Sequence, residues 1–97
     1  MVRPLKCRRV CNMPANTTFG SDQASKIIEM TVDEYETIRL IDLEGLTQEQ
    51  CSVRMEVSRT TTQAIYSSAR EKLADCLINN KLLKINGGDY RICEHSC

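Results

Sequence analysis

Two groups of cysteine and histidine residues near the ends of the 97-residue chain have the chemistry of metal ligands. The N-terminal group has the pattern Cys-x3-Cys, at Cys7 and Cys11, and the C-terminal group has the pattern Cys-x-His-x-Cys, at Cys93, His95 and Cys97. Thiolate and imidazole ligands suit zinc, and clustered thiolates also suit an iron–sulfur cluster. If the fold brings both ends together, these five residues form a metal- or thiol-sensitive site.

The same cysteines allow two other interpretations. They are reduced thiols that bind nothing, some of them buried as small apolar side chains, or they form a disulfide, which a reducing compartment opposes. Cys51 and Cys76 fall on apolar helical stripes, so we expect them in the core. We therefore treat no cofactor as established and keep zinc and an iron–sulfur cluster as alternatives.

A second set of side chains, between residues 46 and 73, suits contacts with DNA. From Ser58 onward, apolar residues repeat at three–four spacing on one helical face and polar residues occupy the other. Arginine forms paired hydrogen bonds with guanine and glutamine with adenine in the major groove. The expected base contacts come from Arg59, Thr60, Gln63 and Ser67. Phosphate contacts or helix caps are expected from Thr47, Ser58, Thr62 and Arg70.

Three helices are predicted to position these side chains, near 31–44, 47–55 and 58–79. The sequence Thr31-Val32-Asp33-Glu34 is a capping box, and Gly45 stands where a helix commonly ends. Thr47 and Ser58 are suitable caps for the two later helices. The short second helix, the tight turn and the long third helix together predict a helix-turn-helix.

The C-terminal segment predicts β structure. Leu83 and Ile85 alternate with polar residues, Asn86-Gly87-Gly88 is a turn signal, and Tyr90 and Ile92 alternate again. We expect a hairpin near 82–93 that serves as a wing or as the edge of a dimer, with residues 6–10 or 26–30 as a third strand. The predicted fold is therefore mainly α, with a three-helix helix-turn-helix core, a small C-terminal β-hairpin and an extended N-terminal arm. The expected division is an arm and loop at 1–30, with a short strand as an option, and a helix-turn-helix domain at 31–97.

Residues 45–73 resemble region four of bacterial sigma factors and related regulators. The matching features are Gly45-Leu46-Thr47 at the start, Val57-Ser58 at the junction and Ala69-Arg70-Glu71-Lys72-Leu73 at the end. Nearly the whole chain is similar to a family of short bacterial and archaeal proteins that are predicted to bind DNA. That similarity rests on Cys7-Arg8-Arg9-Val10-Cys11, Thr31-Val32-Asp33-Glu34 and Gly87-Gly88-Asp89-Tyr90. The resemblance implies a DNA-binding regulator of transcription.

One position departs from the sigma-factor pattern. The turn of this motif usually contains glycine because its backbone is left-handed there, whereas this chain has Glu56. A residue with a Cβ atom in that conformation costs about 1 kcal/mol. We therefore expect either a different turn or a tolerated strain.

The N-terminal segment is basic and lacks acids. Its four cations, Arg3, Lys6, Arg8 and Arg9, suit an arm that enters a minor groove or follows a phosphate backbone. The alternative is a strand whose charges are solvated.

Composition sets limits on the partners. Thirteen basic and thirteen acidic residues balance, so only their uneven distribution supports a DNA-binding face. The sequence has no apolar run of membrane-spanning length and no secretory signal, so we expect a cytoplasmic protein. It has no recognisable catalytic constellation, so we expect no enzyme. The expected partners are double-stranded DNA and a second copy of the chain. The alternative is a protein-interaction module that contacts RNA polymerase or another regulator through the acidic segment 31–49.

Overall fold

A computed structural model describes residues 8–92. It contains five short strands, three α-helices and one π-helical segment. In chain order these are β1 (Arg8–Val10), β2 (Thr18–Phe19), β3 (Ile27–Met30), α1 (Val32–Thr37), the π-helical segment (Ile38–Leu43), α2 (Gln48–Met55), α3 (Arg59–Asn79), β4 (Leu82–Ile85) and β5 (Tyr90–Ile92). None of the helices in the described range is both long and apolar enough to cross a membrane.

The three predicted helices are present, and each begins where its cap residue predicts. The Thr31 side chain accepts a hydrogen bond from the Glu34 amide, and the Glu34 carboxylate accepts one from the Thr31 amide. Thr47 and Gln50 form the same reciprocal pair at the start of α2. Ser58 caps α3 by accepting from the Thr61 amide. The π-helical continuation of α1 was not predicted.

The C-terminal strands exist, but the predicted hairpin is wrong. β4 lies at the centre of a three-stranded sheet, antiparallel to β2 on one side and parallel to β3 on the other. Both hydrogen-bonding edges of β4 are therefore occupied. β5 instead pairs in parallel with β1, with Val10 opposite Ile92, in a separate two-stranded sheet.

The prediction of a mainly α fold was also too strong. About half of the described residues are helical, and the two small sheets contribute directly to the core. The two proposed third strands, 6–10 and 26–30, both contribute, but to different sheets: residues 8–10 to that of β5 and residues 27–30 to that of β4.

Two apolar clusters hold these elements together. The larger cluster packs the sheets against α1 and α3 through Val10, Met30, Val32, Ala69, Leu83 and Ile85. The smaller cluster packs the π-helical segment against α2 through Leu40, Cys51 and Met55, all fully buried. Cys51 is therefore a core residue as predicted, and Cys76 packs against the larger cluster. Burial raises the pKa of the Cys51 thiol to about 11, which keeps it protonated.

The Asn86-Gly87-Gly88 segment crosses the start of α1 instead of closing a hairpin. The Gly87 carbonyl accepts a hydrogen bond from the Val32 amide at 3.0 Å, and the Asn86 amide donates to the Met30 carbonyl at 2.9 Å. Both glycines have positive φ, +73° at Gly87 and +102° at Gly88. The space around them differs, because a Cβ atom at Gly88 would overlap Asp33 Oδ1 and lie 2.8 Å from Thr31 Cβ, whereas Gly87 faces open space.

We predict that Gly88→Ala destabilises the protein much more than Gly87→Ala. Both substitutions carry the left-handed backbone cost of about 1 kcal/mol, and Gly88→Ala adds an overlap with the buried start of α1. We expect a loss of about 2–4 kcal/mol for Gly88→Ala and about 1 kcal/mol for Gly87→Ala in the free energy of unfolding, measured by urea denaturation. Equal losses for the two variants would contradict this packing.

Candidate functional site

The junction between α2 and α3 keeps the left-handed turn although it has no glycine. Glu56 has φ 60° and ψ 45°, in the left-handed helical region. Its amide donates to the Val53 carbonyl at 3.2 Å, and the next amide, of Val57, donates to the Ser52 carbonyl at 3.1 Å. The strain at Glu56 is therefore tolerated and the turn is retained, which decides between the two alternatives that the sequence left open.

Two arginines from the β1–β5 sheet contact the Glu56 carboxylate. Arg9 Nη1 lies 3.6 Å from Glu56 Oε2, and Arg91 Nη2 forms an ion pair with Glu56 Oε1. Arg9 and Arg91 are register partners in that sheet, so both guanidinium groups reach the turn from one side. A glycine could not make these contacts, which gives a physical reason for glutamate at this position.

The inner faces of α2 and α3 are closely packed. Ser52 is buried, and its hydroxyl donates to the Glu49 carbonyl. Thr62 is fully buried, and its hydroxyl donates to the Ser58 carbonyl at 3.0 Å. Thr62 therefore belongs to the packed side of α3, and we leave it out of the outward face on which the sequence also placed it.

The remaining predicted DNA-contacting side chains of α3 lie together on its exposed side. They are Arg59, Thr60, Gln63, Ser67 and Arg70. Thr47 and Ser58 are also exposed, and both use their hydroxyls as helix caps. The helical spacing from Ser58 predicted this common face, because one α-helix carries all five residues.

Other elements contribute side chains that the sequence analysis missed. A surface groove of about 440 Å³ brings Gln48 of α2 beside Gln63, Ser67 and Arg70 of α3. Arg54 on α2 is exposed near the same junction and lines a second groove, of about 730 Å³, with Thr47, Gln50 and Arg9. The sequence gave no signal for these additions, because we read the polar face along α3 alone.

Acidic groups also reach the outward face. The Asp42 carboxylate accepts a hydrogen bond from the Tyr66 hydroxyl at 2.7 Å and lies 4.0 Å from Arg70 Nε. Arg70 also stacks over the Tyr66 ring, with 5.5 Å between the guanidinium carbon and the ring centroid. Desolvation and the Asp42 carboxylate raise the pKa of Tyr66, so its hydroxyl stays protonated. The face is acid-free along α3 from Arg59 to Arg70, but its C-terminal end is neutralised by the π-helical segment.

The start of α3 differs electrostatically from the starts of α1 and α2. The first turn of α1 has Asp33 and Glu34, and that of α2 has Glu49, as the helix dipole favours. The first turn of α3 has no acid and has the exposed cation Arg59 instead. This arrangement leaves positive charge at a helix terminus where an anion is stabilised.

Three of the six acids in the segment 31–50 are inside the fold. Asp33 pairs with Arg8 at 2.9 Å and Glu36 pairs with Arg39 at 2.8 Å. Glu34 binds Lys72 at 2.8 Å and also accepts from Ser68. Burial works to raise the pKa of Glu34, but its hydrogen bonds to Lys72, Ser68 and Thr31 outweigh burial and lower it. The acidic surface of this segment is therefore smaller than the sequence suggests.

The basic arm is only partly described. Arg3 and Lys6 lie outside the described residues. Arg8 and Arg9 are in β1 and form ion pairs with Asp33 and Glu56. Within this described part, a strand with paired charges replaces both the free arm and the strand with solvated charges that we considered.

The proposed metal ligands also lie mostly beyond the described range, since Cys7, Cys93, His95 and Cys97 are outside it. Cys11 is described, and its amide donates to the buried Glu36 Oε2 at 3.0 Å. Among residues 8–92 no group of three or more His, Cys, Asp or Glu side chains is placed to hold a metal ion.

Comparison with known proteins identifies the family. The family model described as protein of unknown function DUF134 matches residues 1–93. The chain belongs to this family. A DUF134 relative in Desulfitobacterium hafniense (strain DSM 10664 / DCB-2), the UPF0251 protein, is 55% identical over 100 residues, which cover 97% of this chain and 78% of the relative.

Other relatives carry the same description. A UPF0251 protein of Caldicellulosiruptor bescii is 45% identical, with 100% of this chain and 71% of the relative covered. One from Thermoanaerobacter pseudethanolicus is 46% identical, with 97% of this chain and 83% of the relative covered. No solved structure matches the DUF134 chain significantly.

We predict that Glu56→Gly is more stable than Glu56→Gln by about 1 kcal/mol. Both variants lose the charge that binds Arg9 and Arg91, but only glycine also removes the steric cost of the left-handed backbone. Glu56→Gln should itself be less stable than the natural chain by about 1 kcal/mol or less, because the carboxylate is partly exposed and such ion pairs are weak. Urea denaturation of the three proteins at low salt measures both differences. If Glu56→Gln were as stable as Glu56→Gly, the left-handed turn would carry no cost.

Proposed function

We propose that this DUF134 protein is a sequence-specific DNA-binding protein that regulates transcription in the cytoplasm and has no enzymatic activity. In this proposal α2, the Glu56 turn and α3 act as a helix-turn-helix of the sigma region-four type, and α3 enters the major groove. The observation that carries the proposal is the exposed polar face at the N-terminal half of α3, with Arg59, Thr60, Gln63 and Ser67 on one side of one helix.

The chemistry of this face suits base edges. Arg59 and Gln63 are one helical turn apart and both exposed, so they can reach neighbouring base pairs from one helix. Gln48 of α2 adds a second amide beside Gln63. Thr60 and Ser67 supply hydroxyl groups that donate or accept hydrogen bonds.

The surroundings suit phosphate groups. Arg54 and Arg59 flank the turn, are exposed and form no salt bridge within residues 8–92. The start of α3 lacks the acids that stabilise the other two helices, and a DNA phosphate would supply that negative charge. We therefore assign Arg54 a phosphate contact and keep Arg70 as another at the edge of the face, where Asp42 competes for it.

The direct test is selection of fragmented genomic DNA by the reduced protein at physiological salt, followed by sequencing. We expect one short motif to be enriched. Arg59→Ala and Gln63→Ala should each weaken binding to that motif about 5- to 150-fold and relax the preference at one position, since each paired base contact contributes about 1–3 kcal/mol. Arg54→Ala should weaken binding to all sequences alike and lower the slope of log affinity against log salt by about one.

Lys26→Ala is the matched control for lost charge. Lys26 is exposed, and its carbonyl accepts from the Leu82 amide just beyond the C-terminal end of α3, about 30 Å from Arg59 along the helix. This variant should bind DNA as the natural chain does. If the folded natural protein shows no salt-dependent affinity for DNA, the proposal fails and the protein-interaction module becomes the better explanation.

A metal- or thiol-gated regulator is the second candidate, and the β1–β5 pairing favours it. Val10 lies opposite Ile92 in that parallel ladder, Cys11 follows Val10, and Cys93 is the next residue after Ile92 in the sequence. The two cysteine groups are thus attached to neighbouring strands.

Metal analysis of protein purified under reducing conditions tests this second candidate. We expect about one equivalent of zinc or iron in the natural chain and its loss in Cys11→Ser and Cys93→Ser. Cys76→Ser, a cysteine packed against the core, is the control and should retain the metal. Metal-free natural protein with unchanged DNA affinity after oxidation and reduction would exclude gating at these cysteines.

A further inference from the structure

The C-terminal half of α3 exposes two large apolar side chains. Leu77 is 81% exposed and Ile78 is 80% exposed, although both lie in the middle of a regular helix turn. Their neighbours Leu73 and Cys76 face the other way and pack against the sheets, so Leu77 and Ile78 are on the outer side of the helix. With the exposed Ala74 they form an apolar patch at i, i+3 and i+4 spacing.

A groove runs beside this patch on the same helix. It has a volume of about 510 Å³, and Ala74, whose small side chain leaves space, lies one turn from Ile78 along it. A projecting side chain and a space of similar character therefore lie on one surface. Such a surface can pack against a copy of itself, because a twofold axis places each projection over the other copy's space.

The charges around the patch have the same self-complementary order. Glu71 lies five residues before Cys76, and Lys81 lies five residues after it. In two antiparallel helices related by a twofold axis beside Cys76, Ala74 of one copy faces Ile78 of the other, and Glu71 faces Lys81. Lys81 already pairs with Asp75 of its own chain at 2.9 Å, so Glu71 would join an existing ion pair.

The length of α3 supports the same arrangement. Gln63 and Cys76 are thirteen residues apart, which is about 19.5 Å along an α-helix. Two antiparallel copies crossing beside Cys76 at about 20–50° therefore separate their Gln63 residues by about 35–39 Å. Half-sites read by helix-turn-helix dimers are about 34–36 Å apart, one turn of DNA.

We propose that the Ala74–Leu77–Ile78 patch binds a second copy of this chain, so that two copies read inverted half-sites about one DNA turn apart. The spacing argument rests on the DNA-binding function proposed above, whereas the self-complementary surface does not. The patch is smaller than the roughly 800 Å² per partner of a stable interface, so the dimer is weak in solution and is completed on DNA.

Sedimentation equilibrium of the reduced protein tests the surface without DNA. We expect a reversible monomer–dimer equilibrium in the natural chain, weakened at least tenfold by Leu77→Glu. Leu43→Glu is the matched control, because Leu43 is 77% exposed but lies on the π-helical segment, and it should leave the equilibrium unchanged. Because Leu77 is almost fully exposed, its substitution should leave the thermal unfolding midpoint unchanged, which verifies folding.

The selected DNA tests the spacing. We expect pairs of inverted motifs with centres about 10–11 base pairs apart, bound cooperatively by the natural chain. Leu77→Glu should lose about tenfold in affinity for the pair while binding a single motif as before. A dimer without DNA binding would refute the proposed function and leave the self-association intact. A natural chain that stays monomeric at all concentrations and binds paired motifs without cooperativity would overturn the inference and indicate that another molecule covers the patch.

Discussion

The fold depends on three carboxylates that are buried on one short helix. Asp33, Glu34 and Glu36 of α1 each find a cation, from β1, from α3 and from the π-helical segment respectively. A buried carboxylate without a partner would cost several kcal/mol, so these pairs fix where the surrounding elements can lie relative to α1. Asp33 Oδ1 remains buried without a hydrogen-bond partner in the described part of the chain, beside Gly88. The polar contacts of α1 thus specify an arrangement that the small apolar core alone would leave less defined.

The features that the sequence predicted correctly are local ones. Thr31, Thr47 and Ser58 mark helix starts through hydrogen bonds that span three residues, so neighbouring sequence is enough to find them. The outward face of α3 was predictable for a similar reason, because helical geometry alone groups Arg59, Gln63 and Ser67. Family membership was also visible in motifs spread along the chain, and the match over residues 1–93 confirms it.

The features that the sequence did not predict depend on distant partners. The Asn86-Gly87 pair permits a hairpin, but both edges of β4 are occupied by β2 and β3, and no local pattern shows that competition. The acidic segment seemed to be a charged surface because sequence does not distinguish a solvated carboxylate from a buried, paired one. Gln48, Arg54 and Asp42 were missed at the candidate site because they come from elements other than α3.

The pairing of β1 with β5 has a consequence for how the protein folds. These are the first and last strands of the described chain, and their ladder closes a loop that contains every other element. Closing so long a loop costs conformational entropy that only assembled structure can offset, whereas α2 and α3 need only local contacts. The helices should therefore form early and the terminal ladder late. The same connection makes the two ends interdependent, since removal of either strand deprives the other of its hydrogen-bonding partner.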